Sequence, residues 1–180
     1  LKAIEKLELA DIYIIAVPTP KLHNNSPDLS YVAEAASEIS KVINGGELVI
    51  LESTVPVGTT EKVENIIKQN RPDLANQKDL EVINVVHCPE RILPGNTLHE
   101  LVYNDRIIGG LTEKAGELAA TFYKYFVKGN IYVTEARVAE LSKLTENAYR
   151  DVNIAFANEL SMLCDDLNIK VDSVIELANK

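Results

Sequence analysis

Short apolar runs alternate along this chain with stretches whose apolar residues recur every three or four positions. "DIYIIAVPTP" is a β-branched run closed by Pro18 and Pro20, and it reads as a buried strand and its end. "SPDLSYVAEAASEISKVINGG" has helical periodicity, with Ser26 or Asp28 as N-cap and Asn44, Gly45 and Gly46 as the stop. The pair then repeats. "ELVILESTVPVG" reads as a second buried strand, and "TTEKVENIIKQN" as a helix led by Thr59. "LEVINVVHCPE" is a third strand, "DRIIGG" a shorter fourth, and "TEKAGELAATFYKYF" a further helix. Strands alternating with helices across short connections predict an α/β fold, a parallel sheet wound on both faces.

The pattern changes at Thr134, a plausible cap. "TEARVAELSKLTENAYRDVNIAFANELSMLCDDLN" contains neither Gly nor Pro and is longer than a helix that merely covers a sheet. It predicts a spine helix leaving the α/β unit, with a second short helix, "KVDSVIELANK", after Asn168. The expected division is a dinucleotide-type unit over residues 1–132 and the start of a helical unit over 133–180. A complete doubly wound, Rossmann-like sheet would open with a strand and G-x-G-x-x-G, which does not occur here. The double glycines, Gly45-Gly46 and Gly109-Gly110, read as a helix stop and a strand end, so the sheet is expected to be incomplete.

Ligands of such sheets sit beyond the carboxyl ends of the strands. Thr19 closes the first strand, Ser53 and Thr54 the second, and Glu90 and Arg91 the third. Any one of these reads most simply as a strand terminator; three together, each beside a proline turn, point to a shared crevice. Within "AELSKLTENAYRDVNIAFANEL", Lys143, Asn147 and Arg150 fall inside an arc of roughly 60° on one helix face. A solvated face is the plain alternative. As a site, a lysine can act as general base or stabilise an oxyanion, the carboxamide can orient a hydroxyl, and the guanidinium can pair with phosphate.

Composition narrows the chemistry. Eighteen basic against 27 acidic residues give a net charge of −9, which disfavours nucleic acid and anionic membranes as partners. No run is long and apolar enough for a membrane span. His23, His87 and His99 have no ligand spacing, and Cys88 and Cys164 read as packing thiols, so no metal site is expected. Two lone cysteines suit a reducing, cytoplasmic setting.

"AVPTP", "ESTVPVGTT", "VVHCPERILPGNTLHELVYNDRIIGG" and "AELSKLTENAYRDVNIAFANEL" resemble, in order and spacing, the nucleotide-sugar dehydrogenase family that includes UDP-glucose and GDP-mannose dehydrogenases. The resemblance implies NAD-dependent oxidation of a sugar C6 alcohol to the carboxylate, in polysaccharide biosynthesis, with an aldehyde held on a cysteine. It implies that Thr19, Ser53 and Thr54 border NAD, that Glu90, Lys143 and Asn147 stand at the reacting centre, and that Arg91, Ile92 and Arg150 join Lys143 and Asn147 in the substrate pocket. It also implies a homodimer built on the spine helix. Pro94, where UDP-glucose oxidisers tend to carry a second carboxylate, favours a UDP-N-acetylamino sugar, UDP-N-acetylmannosamine first. Neither cysteine matches the family's nucleophile, and the Gly-rich turn is absent, so the 180 residues alone are expected to be inactive. The rival reading is a truncated, non-catalytic dimerisation or binding module of the same fold.

Overall fold

Runs dominated by Ile, Val and Leu need cover on both sides, and the centre of a layered sheet supplies it. In the computed structural model, which describes residues 3–75, 83–92 and 95–180, three such runs pair side by side. β1 (Ile12–Ile15), β2 (Leu48–Leu51) and β3 (Asn84–His87) run parallel, with Ile15 beside Leu51 and Leu51 beside His87. α1 (Ser30–Ser40) joins β1 to β2, and α2 (Thr59–Asn70) and the single turn α3 (Pro72–Ala75) follow β2. α4 (Thr97–Tyr103) precedes β4 (Arg106–Gly110), and α5 (Glu113–Tyr123) precedes β5 (Ile131–Glu135). α6 (Ala136–Asp166) starts directly from β5, and α7 (Val171–Ala178) follows.

Alternate side chains of the buried strands feed two cores. Tyr13, Ile15, Val49, Leu51 and Val85 pack with Val32, Ala36 and Ile39 of α1 and Val63 and Ile67 of α2. On the other face Leu48, Ile50, Val86 and Ile108 pack with Ala115, Ala119 and Tyr123 of α5. Helices thus cover both faces, as the alternating pattern predicts.

The strand directions are less uniform than expected. β4 and β5 are parallel to each other, but β3 and β4 are antiparallel, with Val86 opposite Gly110 and His87 opposite Gly109. A parallel continuation needs a crossover that carries the chain back along the sheet. Residues 88–105 would be long enough for one, but here the chain passes through the seven-residue α4 and re-enters the sheet at the rim where β3 leaves it. β5 itself had no counterpart in the apolar pattern, because it is an edge strand with Tyr132 and Val133 exposed. Thr134, expected to cap the long helix, lies inside β5. Residues 80–82, the opening of the third apolar run, and Leu93 and Pro94 lie outside the described residues.

Gly109 decides how α6 begins. A Cβ there would stand 2.6 Å from the Ala136 Cα and 2.7 Å from the Ala139 Cβ, so the first turns of α6 seat on the sheet only because this position has no side chain. The chain divides into two compact units, Leu1–Lys143 and Leu144–Lys180. In the second, α6 ends near Asn168, whose φ of 52° takes the left-handed turn, and the Ile169 N–H donates to the Cys164 carbonyl at 2.8 Å.

Candidate functional site

The carboxyl ends of β1, β2 and β3 are tied to one another. The Thr19 hydroxyl donates to the Thr54 carbonyl at 2.7 Å, and the buried Ser53 hydroxyl donates to the Val17 carbonyl at 2.7 Å. The Glu90 N–H reaches the Glu52 carbonyl at 3.4 Å, which joins the third rim position to the second. Two of the three hydroxyls therefore terminate strands, as the plain reading has it. Thr54 is half-buried, and its hydroxyl has no partner among the described residues. Glu90 is exposed, and its carboxylate accepts the Ile92 N–H of its own turn. Arg91 and Ile92 are half-buried, and the Arg91 carbonyl accepts from the Asn104 amide.

The loop from Ser53 runs into α2 through Gly58, the N-cap, at φ 91°. A glycine cap has no side-chain oxygen for the open N–H groups of the first turn. Glu140, in the second turn of α6, supplies it. Its carboxylate accepts from the Gly58 N–H at 2.6 Å, the Thr60 N–H at 2.8 Å and the Thr60 hydroxyl at 2.6 Å. Fully buried, it satisfies those donors and sits where the helix dipole favours negative charge. Lys143 follows three residues on and is only 8% exposed; its ammonium makes no hydrogen bond or ion pair among the described residues. Its stem is covered while its uncommitted head keeps some access to solvent, an arrangement open to a ligand as well as to water.

Beneath these turns lies His87, buried at the end of β3 beside Gly109, with neither ring nitrogen partnered among the described residues. Burial pushes it down to about 4, against the pull of the Glu140 carboxylate, so it is a neutral imidazole near pH 7. On the opposite face the Tyr123 hydroxyl donates to Glu52 at 2.6 Å, and the buried Arg106 guanidinium stands 5.4 Å from the Tyr123 ring centre. Cys88 belongs to this cluster, and burial pushes its thiol up to about 11, which removes it as a thiolate nucleophile. Cys164 is also buried and free. Among the described residues no group of His, Cys, Asp and Glu is arranged to hold a metal.

Asn147 and Arg150 lie on the part of α6 that belongs to the second unit. Asn147 is half-buried, while Arg150 is exposed and donates to Glu146 at 3.1 Å. On roughly the opposite side of that helix, Tyr149, Val152, Phe156 and Leu163 share an exposed apolar face. Glu140 escaped the sequence reading because a helical carboxylate ordinarily faces solvent. The signal available was its i+4 spacing from Ala136, a small residue of the seated face.

Comparison with known proteins places this geometry. Residues 2–127 match the NAD binding domain of the UDP-glucose/GDP-mannose dehydrogenase family, and residues 137–180 match that family's central domain. The NDP-N-acetyl-D-galactosaminuronic acid dehydrogenase of Ralstonia nicotianae is 54% identical over all of this chain and 43% of its own length. The UDP-N-acetyl-D-mannosamine dehydrogenase of Campylobacter jejuni is 53% identical over all of this chain and 45% of its own. A solved UDP-D-ManNAc dehydrogenase from Pyrococcus horikoshii superposes with a TM-score of 0.87 at 45% identity, covering 94% of this chain and 40% of that one. The chain thus spans less than half the length of these relatives.

Proposed function

Since the chain belongs to the UDP-glucose/GDP-mannose dehydrogenase family, we propose that it is a segment of an NAD-dependent nucleotide-sugar 6-dehydrogenase acting on a UDP-N-acetylamino sugar. The observation that carries the proposal is Lys143, buried with an ammonium that has no partner among the described residues. The names of the relatives support the sugar class, with UDP-N-acetyl-D-mannosamine as the first candidate. Residues 1–132 form the later part of the cofactor unit, and residues 133–180 open the helical one.

In its neutral amine form Lys143 takes the proton from the C6 hydroxyl oxygen, and the ammonium so formed then steadies developing negative charge on that oxygen. Asn147 orients the same oxygen, and Glu90 holds a water or proton at the rim. Arg91 and Arg150 pair with the diphosphate, which a chain of net charge −9 must meet through local cations. Thr54 offers its uncommitted hydroxyl to the cofactor, beside Thr19 and Ser53, whose bonds hold the rim in shape. NAD, when bound, accepts the hydride from C6. The nucleophilic thiol of the family is neither Cys88 nor Cys164.

The enzyme works in the cytoplasm as a homodimer, assembled on the apolar face of Tyr149, Val152, Phe156 and Leu163. Both thiols are free, and no helix among the described residues is long and apolar enough to cross a membrane. The test is NADH formation from UDP-N-acetyl-D-mannosamine, with the N-acetyl-galacto epimer as competitor, in the enzyme that carries this segment. Lys143→Ala should lower kcat about a hundredfold or more while leaving NAD affinity within about twofold. Undiminished turnover in that variant would remove the reading.

A further inference from the structure

Fully buried carboxylates are costly, and α6 already has an apolar means of seating on the sheet through Ala136, Ala139 and Gly109. Glu140 is nevertheless enclosed there, and all three of its donors belong to a single loop end. That loop leaves β2 after Leu51, passes Thr54, the rim residue with the uncommitted hydroxyl, and reaches Gly58 four residues beyond it. On its own helix Glu140 stands one turn before Lys143. The carboxylate therefore joins two pieces of the candidate site, the loop beyond Thr54 and the helical turn that carries Lys143.

We propose that Glu140 is a positioning residue for Lys143: by providing the cap that Gly58 lacks, it locks the second turn of α6 to the loop beyond Thr54 and so fixes where the Lys143 ammonium stands. The inference rests on the reading of Lys143 as the catalytic lysine, since only then does the placement matter to a reaction. A carboxylate suits the task better than an amide. It has acceptors only, and one oxygen faces Gly58 while the other faces both groups of Thr60. In Glu140→Gln one of those oxygens becomes an NH2 directed at a backbone N–H. The register between loop and helix then shifts without a change in side-chain volume.

The experiment compares wild type, Glu140→Gln and Thr60→Val in the 180-residue chain with Ile39→Val, a core change in α1 away from the clamp. Two quantities are read: amide exchange at Gly58 and Thr60, and the acetylation rate of Lys143 relative to the other lysines. Glu140→Gln should speed exchange at both amides by about tenfold and change the Lys143 rate about threefold, with the same direction and a smaller size in Thr60→Val. Ile39→Val should leave the Lys143 rate where it was. An unchanged Lys143 rate beside faster exchange at Gly58 and Thr60 would reduce Glu140 to a helix cap and overturn the proposal. An equal Lys143 response to Ile39→Val would overturn it as well. If Glu140→Gln does not fold, Thr60→Val decides by the same criterion. Turnover is no part of this test. Failure of the dehydrogenase reading shows in Lys143→Ala, and failure of the positioning role shows in the labelling rates.

Discussion

The two stretches of α6 obey one helical period but differ in what they cover. From Ala136 to Lys143 the helix buries two alanines, a glutamate and a lysine. Beyond Leu144 it exposes Tyr149, Val152, Phe156, Met162 and Leu163. Residue type alone would have ranked their burial the other way round. The first stretch is enclosed because Gly109 yields it room and because the N-terminus of α2 presents donors that a carboxylate can satisfy. The second presents large side chains with nothing of equal kind against them inside its own unit. Periodicity locates a face; the surface opposite it decides whether small and charged or large and apolar residues suit it.

Protons should produce the largest departure between the two stretches. In the unfolded chain an imidazole binds a proton near 6.5, whereas folded His87 does so only near 4. Stability is therefore complete above pH 6.5, falls as pH drops through that interval, and levels off below 4, by about 3 kcal/mol in total. Urea midpoints taken across the interval should show this slope, and His87→Asn should flatten it. A slope that survives the substitution would mean that the seat of α6 does not rest on a neutral imidazole.

Next in size is steric. Gly109→Ala sets a methyl against Ala136 and Ala139 and should cost about 2 kcal/mol by chemical denaturation. A loss below about 0.5 kcal/mol would show that the first turns of α6 can lift without penalty. The smallest effect belongs to the exposed stretch. Phe156→Ser should move unfolding of the isolated chain by less than about 0.5 kcal/mol while weakening self-association in sedimentation. A large loss of stability there would place Phe156 in a core and erase the contrast.

Much of this was legible in the amino-acid order, and for identifiable reasons. β2 and β3 were readable because fully buried strands are continuous apolar runs, β1 because its run is equally apolar although Ile14 is exposed at the end of the sheet, and α2 begins at Thr59 as its pattern indicates. The length of α6 followed from an unbroken stretch free of Gly and Pro. What escaped depends on neighbours. β5 carries no period of its own because Tyr132 and Val133 are exposed at an edge, and the reversal between β3 and β4 leaves no mark in the sequence, since the connection there, residues 88–105, is nearly as long as residues 111–130, which join the parallel pair β4 and β5. At the site, Lys143 could be singled out by its spacing from Asn147 and Arg150. Glu140 could not, because its partners at Gly58 and Thr60 lie some eighty residues earlier. The hydroxyls of Thr19 and Ser53 were correctly placed at strand ends, yet both are committed to neighbouring carbonyls.

That long separation also orders events in time. When α2 emerges during synthesis the Thr59 N–H can already bond the Pro56 carbonyl, but the Gly58 and Thr60 N–H groups have only water until residue 140 has been added and folded back. Closing so distant a contact is slow compared with coiling a helix. The opening turn of α2 and the opening turns of α6 are therefore completed together, late, and as one cooperative step.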